Sequence, residues 1–356
     1  MSWEDKVRRV TPYVPGEQPL KKGKLIKLNT NEMPYPPSPK VFEKLKVMSA
    51  ADLRLYPRPD VGPLRDALAS RYEVSKDEMF VGVGSDDVLS MAFLTFFFSD
   101  MPILFPDITY SFYDVWADVY RIPYKVCPLD DDFHIKKSDY MCENGGIVIA
   151  NPNAPTGVSE MGDINFIEDI VSANRQSVVI VDEAYVDFGG VSALPLIKKY
   201  DNVLIVRTFS KSRALAGLRI GYAMGDAKLI KYLNDVKYSV NSYTMNTPSI
   251  ELGVAALSDE EYFNETVSKI IETREWTKEE LGKRAFSVTD SKTNFVFASP
   301  SGISAKDLYT ALREREIFVR WWDKPRLRDW LRISIGTDEE MMTLMKAIDE
   351  IKERFT

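Results

Sequence analysis

Lys211 follows directly on an apolar run, a position that suits nucleophilic chemistry. Residues 203–206 read Val-Leu-Ile-Val, which predicts a buried strand, and the flanking residues include Thr208, Ser210 and Arg219. Low-dielectric protein disfavours the charged ammonium, and the neutral amine is the form that attacks an aldehyde. The segment therefore predicts a lysine poised to form a Schiff base, although alone it also fits a plain surface lysine.

Asp182 ends a run of four apolar residues, 178–181, and Tyr185 follows three positions later. A carboxylate at such a place is costly unless it is paired. A protonated pyridine nitrogen would pair Asp182, and Tyr185 would then be able to hydrogen-bond the ring oxygen. Together with Lys211 this pattern favours pyridoxal phosphate (PLP) as the cofactor. The alternative for Asp182 is a cap on the following loop.

Two loops and two arginines are further candidates. Residues 82–87 (Gly-Val-Gly-Ser-Asp-Asp) lie between a predicted strand and a predicted helix, where free backbone N–H groups suit a phosphate dianion. Residues 151–157 (Asn-Pro-Asn-Ala-Pro-Thr-Gly) predict a stiff loop that presents an amide and a hydroxyl to a ring substituent. The forked side chains of Arg320 and Arg332 suit a carboxylate or a phosphate. Each also has a purely structural interpretation, as an ordinary turn or a solvated strand end.

The elements that must position these groups alternate between strand and helix. Short apolar runs separated by helical patterns predict a mostly parallel α/β sheet. Functional groups then collect in the loops at the carboxyl ends of the strands. The strand candidates are residues 79–83, 102–105, 147–150, 177–181, 203–207 and 219–224, and helix candidates between them include residues 86–97 and 163–174.

The pattern changes after about residue 240 and predicts a second, α+β domain. We expect a large PLP-binding domain over residues 36–250 and a small domain over residues 251–356. The proline-rich residues 1–35 are expected to be extended, to lie across the cleft and to complete the small domain. The candidates in this part are helices 251–257, 260–284 and 338–354 and strands 294–298, 317–320 and 331–335.

Composition excludes several classes of protein. A net charge of −7 without a basic block argues against nucleic acid as a partner. The longest apolar stretch, residues 91–98, is too short to span a membrane, and no signal peptide is seen at the start. Two cysteines indicate a reducing cytoplasm. The single histidine, His134, excludes a His-rich metal site, so we predict no metal.

The order of these motifs resembles fold type I PLP-dependent aminotransferases over almost the whole chain. Within that family the chain is most similar to the histidinol-phosphate aminotransferases. The segments that carry the narrower resemblance are Pro12-Tyr13-Val14-Pro15-Gly16, Asn29-Thr30-Asn31-Glu32, Tyr56-Pro57, Asp182-Glu183-Ala184-Tyr185, Leu215-Ala216-Gly217-Leu218-Arg219 and Leu331-Arg332-Ile333-Ser334-Ile335-Gly336-Thr337. The resemblance implies a seven-stranded sheet between helices, and transfer of an amino group from L-histidinol phosphate to 2-oxoglutarate in histidine biosynthesis. It also implies a homodimer with composite active sites.

The resemblance further implies a role for each candidate residue. Lys211 would bind the cofactor covalently and act as the general base, Asp182 would stabilise the protonated ring, and Tyr110 would stack on it. Tyr56 would reach the cofactor phosphate of the partner subunit. The cofactor phosphate would be held by Ser85, Asp86, Thr208, Ser210 and Arg219, and the substrate side would be lined by Tyr13, Asn31, Arg320 and Arg332.

One position departs from the family pattern. The residue before Pro155 is commonly an asparagine that hydrogen-bonds the ring oxygen, and here it is Ala154, which has no polar side chain. Either Asn153 takes over that role, which we favour, or Tyr185 holds the oxygen together with a water molecule.

The sequence leaves four other functions to consider. Within the fold these are an aromatic amino-acid aminotransferase and a threonine-phosphate decarboxylase. A PLP-binding regulator would need an added DNA-binding region, for which 356 residues leave no room. An NAD-dependent dehydrogenase would need a third glycine in the loop at residues 82–87, which is absent.

Overall fold

The computed structural model describes residues 2–19, 25–160 and 165–355. Within these ranges the strands are β1 (Ile26–Lys27), β2 (Met79–Gly82), β3 (Ile103–Pro106), β4 (Tyr124–Cys127), β5 (Gly146–Ala150), β6 (Val179–Asp182), β7 (Val203–Thr208), β8 (Gly221–Gly225), β9 (Phe286–Val288), β10 (Phe295–Pro300), β11 (Ile317–Phe318) and β12 (Leu331–Ser334). The α-helices are α1 (Pro39–Val47), α2 (Gly62–Tyr72), α3 (Ser85–Phe96), α4 (Tyr113–Tyr120), α5 (Asn165–Ala173), α6 (Ala227–Val240), α7 (Thr247–Leu257), α8 (Glu260–Lys283), α9 (Ala305–Glu314) and α10 (Asp338–Phe355).

A seven-stranded sheet in the order β2-β8-β7-β6-β5-β3-β4 forms the centre of the large domain. Neighbouring strands are parallel except β8, which runs antiparallel to both β2 and β7. Every residue of β5, β6 and β7 is buried, because helices cover both faces of the sheet. The predicted α/β architecture with a mostly parallel seven-stranded sheet is therefore confirmed.

The second sheet lies in the C-terminal part of the chain. It has three antiparallel strands in the order β12-β10-β9, and its apolar side chains share a core with those of α9 and α10. A separate parallel pair joins β1 to β11, through Ile26 opposite Ile317 and Lys27 opposite Phe318. The N-terminal segment is thus tied to C-terminal residues by backbone hydrogen bonds.

Helix α7 bears on the predicted domain limits. Its residues Ile250, Leu252 and Ala256 belong to the core cluster that also contains residues of the large sheet. The limit at residue 250, which stays a prediction, falls inside this helix, and buried residues of α7 on both sides of it pack with those of the large sheet.

Some elements were not predicted. Strand β4 is an edge strand whose first three residues are exposed, so it lacks the apolar run that marks the central strands. Helices α1, α2, α4, α6 and α9 and strands β1 and β9 are not among the candidates that the sequence analysis names. The predicted helix over residues 163–174 begins outside the described residues, and its described part is α5. None of the described helices is long and apolar enough to cross a membrane.

Candidate active site

Two adjoining cavities lie at the carboxyl ends of the strands. The inner cavity has a volume of about 110 Å³, and the outer cavity has a volume of about 520 Å³ and opens toward the N-terminal segment. The residues that line both cavities are Tyr110, Ala154, Tyr185 and Lys211. The predicted loops therefore converge on one place, with the lysine at the junction of the two cavities.

Lys211 is placed by the end of β7. Its side chain is half-buried, and Nζ donates a hydrogen bond to the carbonyl oxygen of Thr30 over 3.4 Å. The same nitrogen lies 5.5 Å from the centroid of the Tyr185 ring. The amine therefore faces the space between the two cavities, where it has access to a group bound in either one.

Asp182 is the last residue of β6 and lines the inner cavity. Its carboxylate accepts a hydrogen bond from the Tyr113 hydroxyl over 2.9 Å and one from the backbone N–H of Ala184 over 3.1 Å. Burial raises the pKa of Asp182 to about 6. A buried carboxylate of this kind is well suited to a cationic partner in the cavity.

The N-terminus of helix α3 forms another wall of the inner cavity, beginning at Ser85. Gly84, just before it, has a φ of +88°, and a Cβ there would lie 2.5 Å from Nη2 of Arg219. A Cβ on Gly221 would collide with the backbone of Gly84 and Ser85. The two glycines therefore let Arg219 and strand β8 approach the helix terminus, where backbone N–H groups favour an anion.

Arg219 supplies the positive charge at this end of the cavity. Its guanidinium contacts Asp86 at 3.1 Å and donates to the Ser210 hydroxyl over 3.4 Å. Ser210 in turn accepts from the Thr208 hydroxyl over 3.0 Å. A guanidinium, two hydroxyls and a helix N-terminus form a site that fits a phosphate group.

Asp86 lines the inner cavity at the second position of α3, and its role in holding the cofactor phosphate stays a prediction. Its carboxylate accepts from the Tyr110 hydroxyl over 2.7 Å and from Arg219, and an ionised carboxylate has no hydrogen to donate to a phosphate. The side chain of Asp86 therefore orients Tyr110 and Arg219. Burial and the neighbouring Asp86 hold the pKa of Tyr110 well above its ordinary value, so Tyr110 stays neutral.

Asn153 does not line either cavity. Its Nδ2 donates to the carbonyl oxygen of Ile108 and to the hydroxyl of Thr156, and its Oδ1 accepts from the hydroxyl of Thr109 over 2.9 Å. The side chain stabilises its own loop and has no group left for a ring oxygen. The expectation that Asn153 replaces the missing asparagine is therefore not supported by the geometry, whereas Ala154 does lie on the cavity wall.

The outer cavity carries the two arginines. Arg320 and Arg332 pair with each other in an antiparallel β-bridge, and both side chains line the outer cavity. Arg332 donates to the carbonyl oxygen of Asn29 over 3.0 Å, while its Nε is buried without a partner among the residues that the structure describes. Burial lowers the pKa of Arg332. Arg320 donates to the carbonyl oxygens of Val14 and Pro15 over 3.1 and 3.3 Å. This wall of the cavity therefore presents two cations.

Tyr13 and Asn31 come from the N-terminal segment. Tyr13 lines the outer cavity and stacks on Phe112, with 4.2 Å between ring centroids. Asn31 also lies on that wall, but its amide donates to the hydroxyl of Tyr185 over 2.9 Å. Tyr56 is far more exposed, at 82%, lines neither cavity and packs against Tyr243.

Comparison with known proteins decides the family. Residues 23–348 match the aminotransferase class I and II family. The chain belongs to this family. It is 51% identical over 350 residues to the histidinol-phosphate aminotransferase of Lactococcus lactis subsp. cremoris (strain MG1363), covering 98% of each chain. It is 48% identical over 351 residues to the histidinol-phosphate aminotransferase of Clostridium botulinum (strain 657 / Type Ba4), covering 99% of this chain and 98% of that one.

A solved structure agrees on the fold. The histidinol-phosphate aminotransferase of Sinorhizobium meliloti, in complex with pyridoxal-5'-phosphate, superposes with a TM-score of 0.84 at 24% identity, covering 93% of this chain and 92% of that one. Aminotransferases of class I and II are PLP-dependent enzymes, so the predicted enzyme class and cofactor are confirmed. The residues of the inner cavity fit the cofactor, because Asp182 lines it and Arg219 faces the α3 terminus.

Proposed function

We propose that this aminotransferase transfers the amino group of L-histidinol phosphate to 2-oxoglutarate, giving imidazole acetol phosphate and glutamate, in histidine biosynthesis. The observation that carries the choice of substrate is the pair of guanidinium groups, Arg320 and Arg332, on the wall of the outer cavity. Histidinol phosphate has a phosphate ester where an amino acid has its carboxylate. Two arginines suit a dianion, such as this phosphate, better than they suit a monoanion. The relatives that are 51% and 48% identical to this chain are named histidinol-phosphate aminotransferases.

Bound PLP would supply an aldehyde that accepts the amino group in one half-reaction and returns it in the other, and a ring that withdraws electrons from the reacting carbon. Lys211 would bind the cofactor and, once released, move the proton at the substrate carbon, since its amine lies at the junction of the two cavities. Asp182 would hold the proton on the ring nitrogen. Tyr185, on the same wall as Lys211, would donate its hydroxyl hydrogen to the ring oxygen.

The remaining residues would bind and orient. Arg219, Ser210 and Thr208 would hold the cofactor phosphate together with the N-terminus of α3 at Ser85. Tyr110 would cover one face of the ring, and the bond from its hydroxyl to Asp86 would fix that ring in place. Arg320 and Arg332 would accept the substrate phosphate and, in the second half-reaction, a carboxylate of 2-oxoglutarate.

The site would be completed by a second copy of the chain. Tyr56 is exposed, and the same stretch of chain exposes the apolar side chains of Val47, Leu53 and Leu55. Adjacent exposed apolar residues are typical of a surface that another protein covers. In the proposed homodimer this face is buried, and Tyr56 reaches the cofactor phosphate of the partner subunit. A biosynthetic enzyme of this kind would work in the cytoplasm.

The rival substrates can be separated in one assay. The chain would be loaded with PLP and supplied with 2-oxoglutarate and, in parallel, histidinol phosphate, phenylalanine or threonine phosphate. We expect a kcat/KM for histidinol phosphate at least about 100-fold above that for phenylalanine, equivalent to about 2.7 kcal/mol of transition-state binding. Equal or faster turnover of phenylalanine would favour an aromatic aminotransferase, and release of carbon dioxide from threonine phosphate would favour a decarboxylase.

A further inference from the structure

Ala154 leaves the inner cavity with one donor fewer for the ring oxygen of the cofactor. It lies on the wall of both cavities, and its methyl group cannot form a hydrogen bond. Asn153, the adjacent amide, is held by its own loop. The hydroxyl of Tyr185 is therefore the polar side-chain group that remains on this wall for the ring oxygen, and the direction of its single hydrogen decides whether it can donate.

Asn31 controls that direction. Its Nδ2 donates to the oxygen of Tyr185 over 2.9 Å, so one acceptor position of the hydroxyl is filled and its own hydrogen must point elsewhere. The Tyr185 ring is buried edge-on against Phe295, with ring centroids 5.2 Å apart, which limits where the hydroxyl can go. With one acceptor position of its oxygen occupied by Asn31, the hydroxyl is left to donate into the cavity.

The orientation of the Asn31 amide is itself fixed. Ser334 Oγ accepts from the backbone N–H of Asn31 and donates its hydrogen to Asn31 Oδ1, both over 2.9 Å. Because Oδ1 is the acceptor in that bond, Nδ2 must be the group that faces Tyr185. Asn31 also has a φ of +57°, and the Asn294 amide donates to its carbonyl oxygen over 2.9 Å. Ser334 thus fixes the side-chain amide, whereas Asn294 holds only the backbone carbonyl of Asn31.

We propose that Asn31 is a positioning residue that aims the hydroxyl hydrogen of Tyr185 at the ring oxygen of PLP, and thereby takes over part of the role of the asparagine missing at Ala154. This inference rests on the proposed function only in that it needs PLP in the inner cavity. It differs from the expectation that Asn31 contacts the substrate directly. A donated hydrogen bond stabilises negative charge on the ring oxygen and weakens the hold of that oxygen on a nearby proton.

The test is a pH titration of the absorption band of bound PLP, without substrate. Asn31→Gly removes the amide and tolerates the positive φ. We expect it to raise the titration midpoint by about half a pH unit in the wild-type background and to have no effect in a Tyr185→Phe background. Lys211, which would carry the cofactor, and Arg332, the charged group beside Tyr185, are unchanged in all these variants. Equal shifts in both backgrounds, or no shift in either, would overturn the proposal.

Two further variants distinguish loss of the positioning of the Tyr185 hydroxyl from a general loosening of the chain around Asn31. Asn294→Ala removes the bond to the Asn31 carbonyl oxygen but leaves the Asn31 amide intact, so we expect the wild-type midpoint. A shift as large as that of Asn31→Gly would contradict the proposal. Ala154→Asn supplies a donor directly and should return the Asn31→Gly midpoint to the wild-type value.

The same experiment distinguishes failure of the cofactor site from failure of the proposed substrate. A wild-type protein with no cofactor band would contradict the cofactor site itself. A normal titration without turnover of histidinol phosphate would contradict only the proposed substrate.

Discussion

The hydroxyl of Tyr113 donates to Oδ2 of Asp182 over 2.9 Å, and both side chains are buried. Burial disfavours the ionised carboxylate and is the main reason that the pKa of Asp182 is raised, to about 6 with the bond from Tyr113 in place. The bond from Tyr113 acts in the opposite direction, since it stabilises the anion. Tyr113 therefore helps to keep Asp182 available as the charged partner of a protonated ring nitrogen.

Replacing Tyr113 tests this relationship. Tyr113→Phe should raise the pKa of Asp182 further and weaken PLP binding at pH 7 by about tenfold, or about 1.4 kcal/mol. The measurement is a PLP titration followed by absorbance or fluorescence. Tyr120→Phe is the matched control, because Tyr120 lies on the same helix and its hydroxyl contacts Ser90, away from the inner cavity. An equal loss of affinity in both variants would point to damage to helix α4.

The raised pKa of Asp182 predicts a pH dependence of cofactor binding. The folded-state pKa of about 6 exceeds the ordinary value of 3.8, so the cofactor-free protein loses stability as pH rises through this window. Cofactor affinity has the opposite sign, because a protonated ring nitrogen needs the carboxylate anion, and it should fall as pH drops below about 6. PLP dissociation constants between pH 5 and 8 would be compared with those of Asp182→Asn. The cofactor phosphate titrates in the same range in both proteins, so the difference isolates Asp182. Identical pH profiles would refute the assignment.

Arg332 should matter more for substrate than for cofactor. Arg332→Gln is expected to raise the KM for histidinol phosphate and for 2-oxoglutarate by about 30-fold, since both anions would lose a charged donor. PLP affinity should stay within about twofold, because Arg332 lines only the outer cavity. Arg328→Gln is the control, as Arg328 is exposed near Asp323. A higher KM for only one of the two substrates would mean that the site is not shared.

The composite site of the proposed homodimer can be tested by mixing two defective chains. Tyr56→Ala and Lys211→Ala subunits, each of low activity, should form hybrids in which one site has both wild-type residues. Random exchange of subunits predicts recovery of up to about a quarter of wild-type activity. The measurement is activity after unfolding and refolding the mixture. If Tyr56 acts within its own chain, mixing will restore nothing.

The central sheet could be predicted from the sequence because its strands are fully apolar. Residues 203–206 and the run before Asp182 have this pattern, and both form buried parallel strands. Strand β4 could not be found in this way, because an edge strand with exposed Tyr124 and Lys125 has no continuous apolar run. The two-residue strand β1 depends on pairing with β11, far along the chain, so it leaves no local signal.

The candidate site likewise contains some residues that the sequence indicates and others that it does not. Lys211, Asp182 and Arg219 follow apolar runs or flank them, and the structure places all three on the inner cavity. Tyr113 and Asn31 act through partners 69 and 154 residues away in the chain, Asp182 and Tyr185 respectively, and no local spacing indicates such contacts. Asn153 is the amide next to Ala154 in the sequence, but loop hydrogen bonds hold its side chain away from the cavity.

The central claim is that Lys211 transfers the amino group of histidinol phosphate through bound PLP. The most direct test is a single half-reaction, in which histidinol phosphate is added to PLP-loaded protein without 2-oxoglutarate and the cofactor absorption is followed with time. In the wild-type protein we predict that the absorption band disappears rapidly and completely as the amino form of the cofactor is produced. In Lys211→Ala the same conversion should be at least about 1,000-fold slower. A wild-type band that histidinol phosphate leaves unchanged, or conversion that is equally fast in Lys211→Ala, would contradict the account.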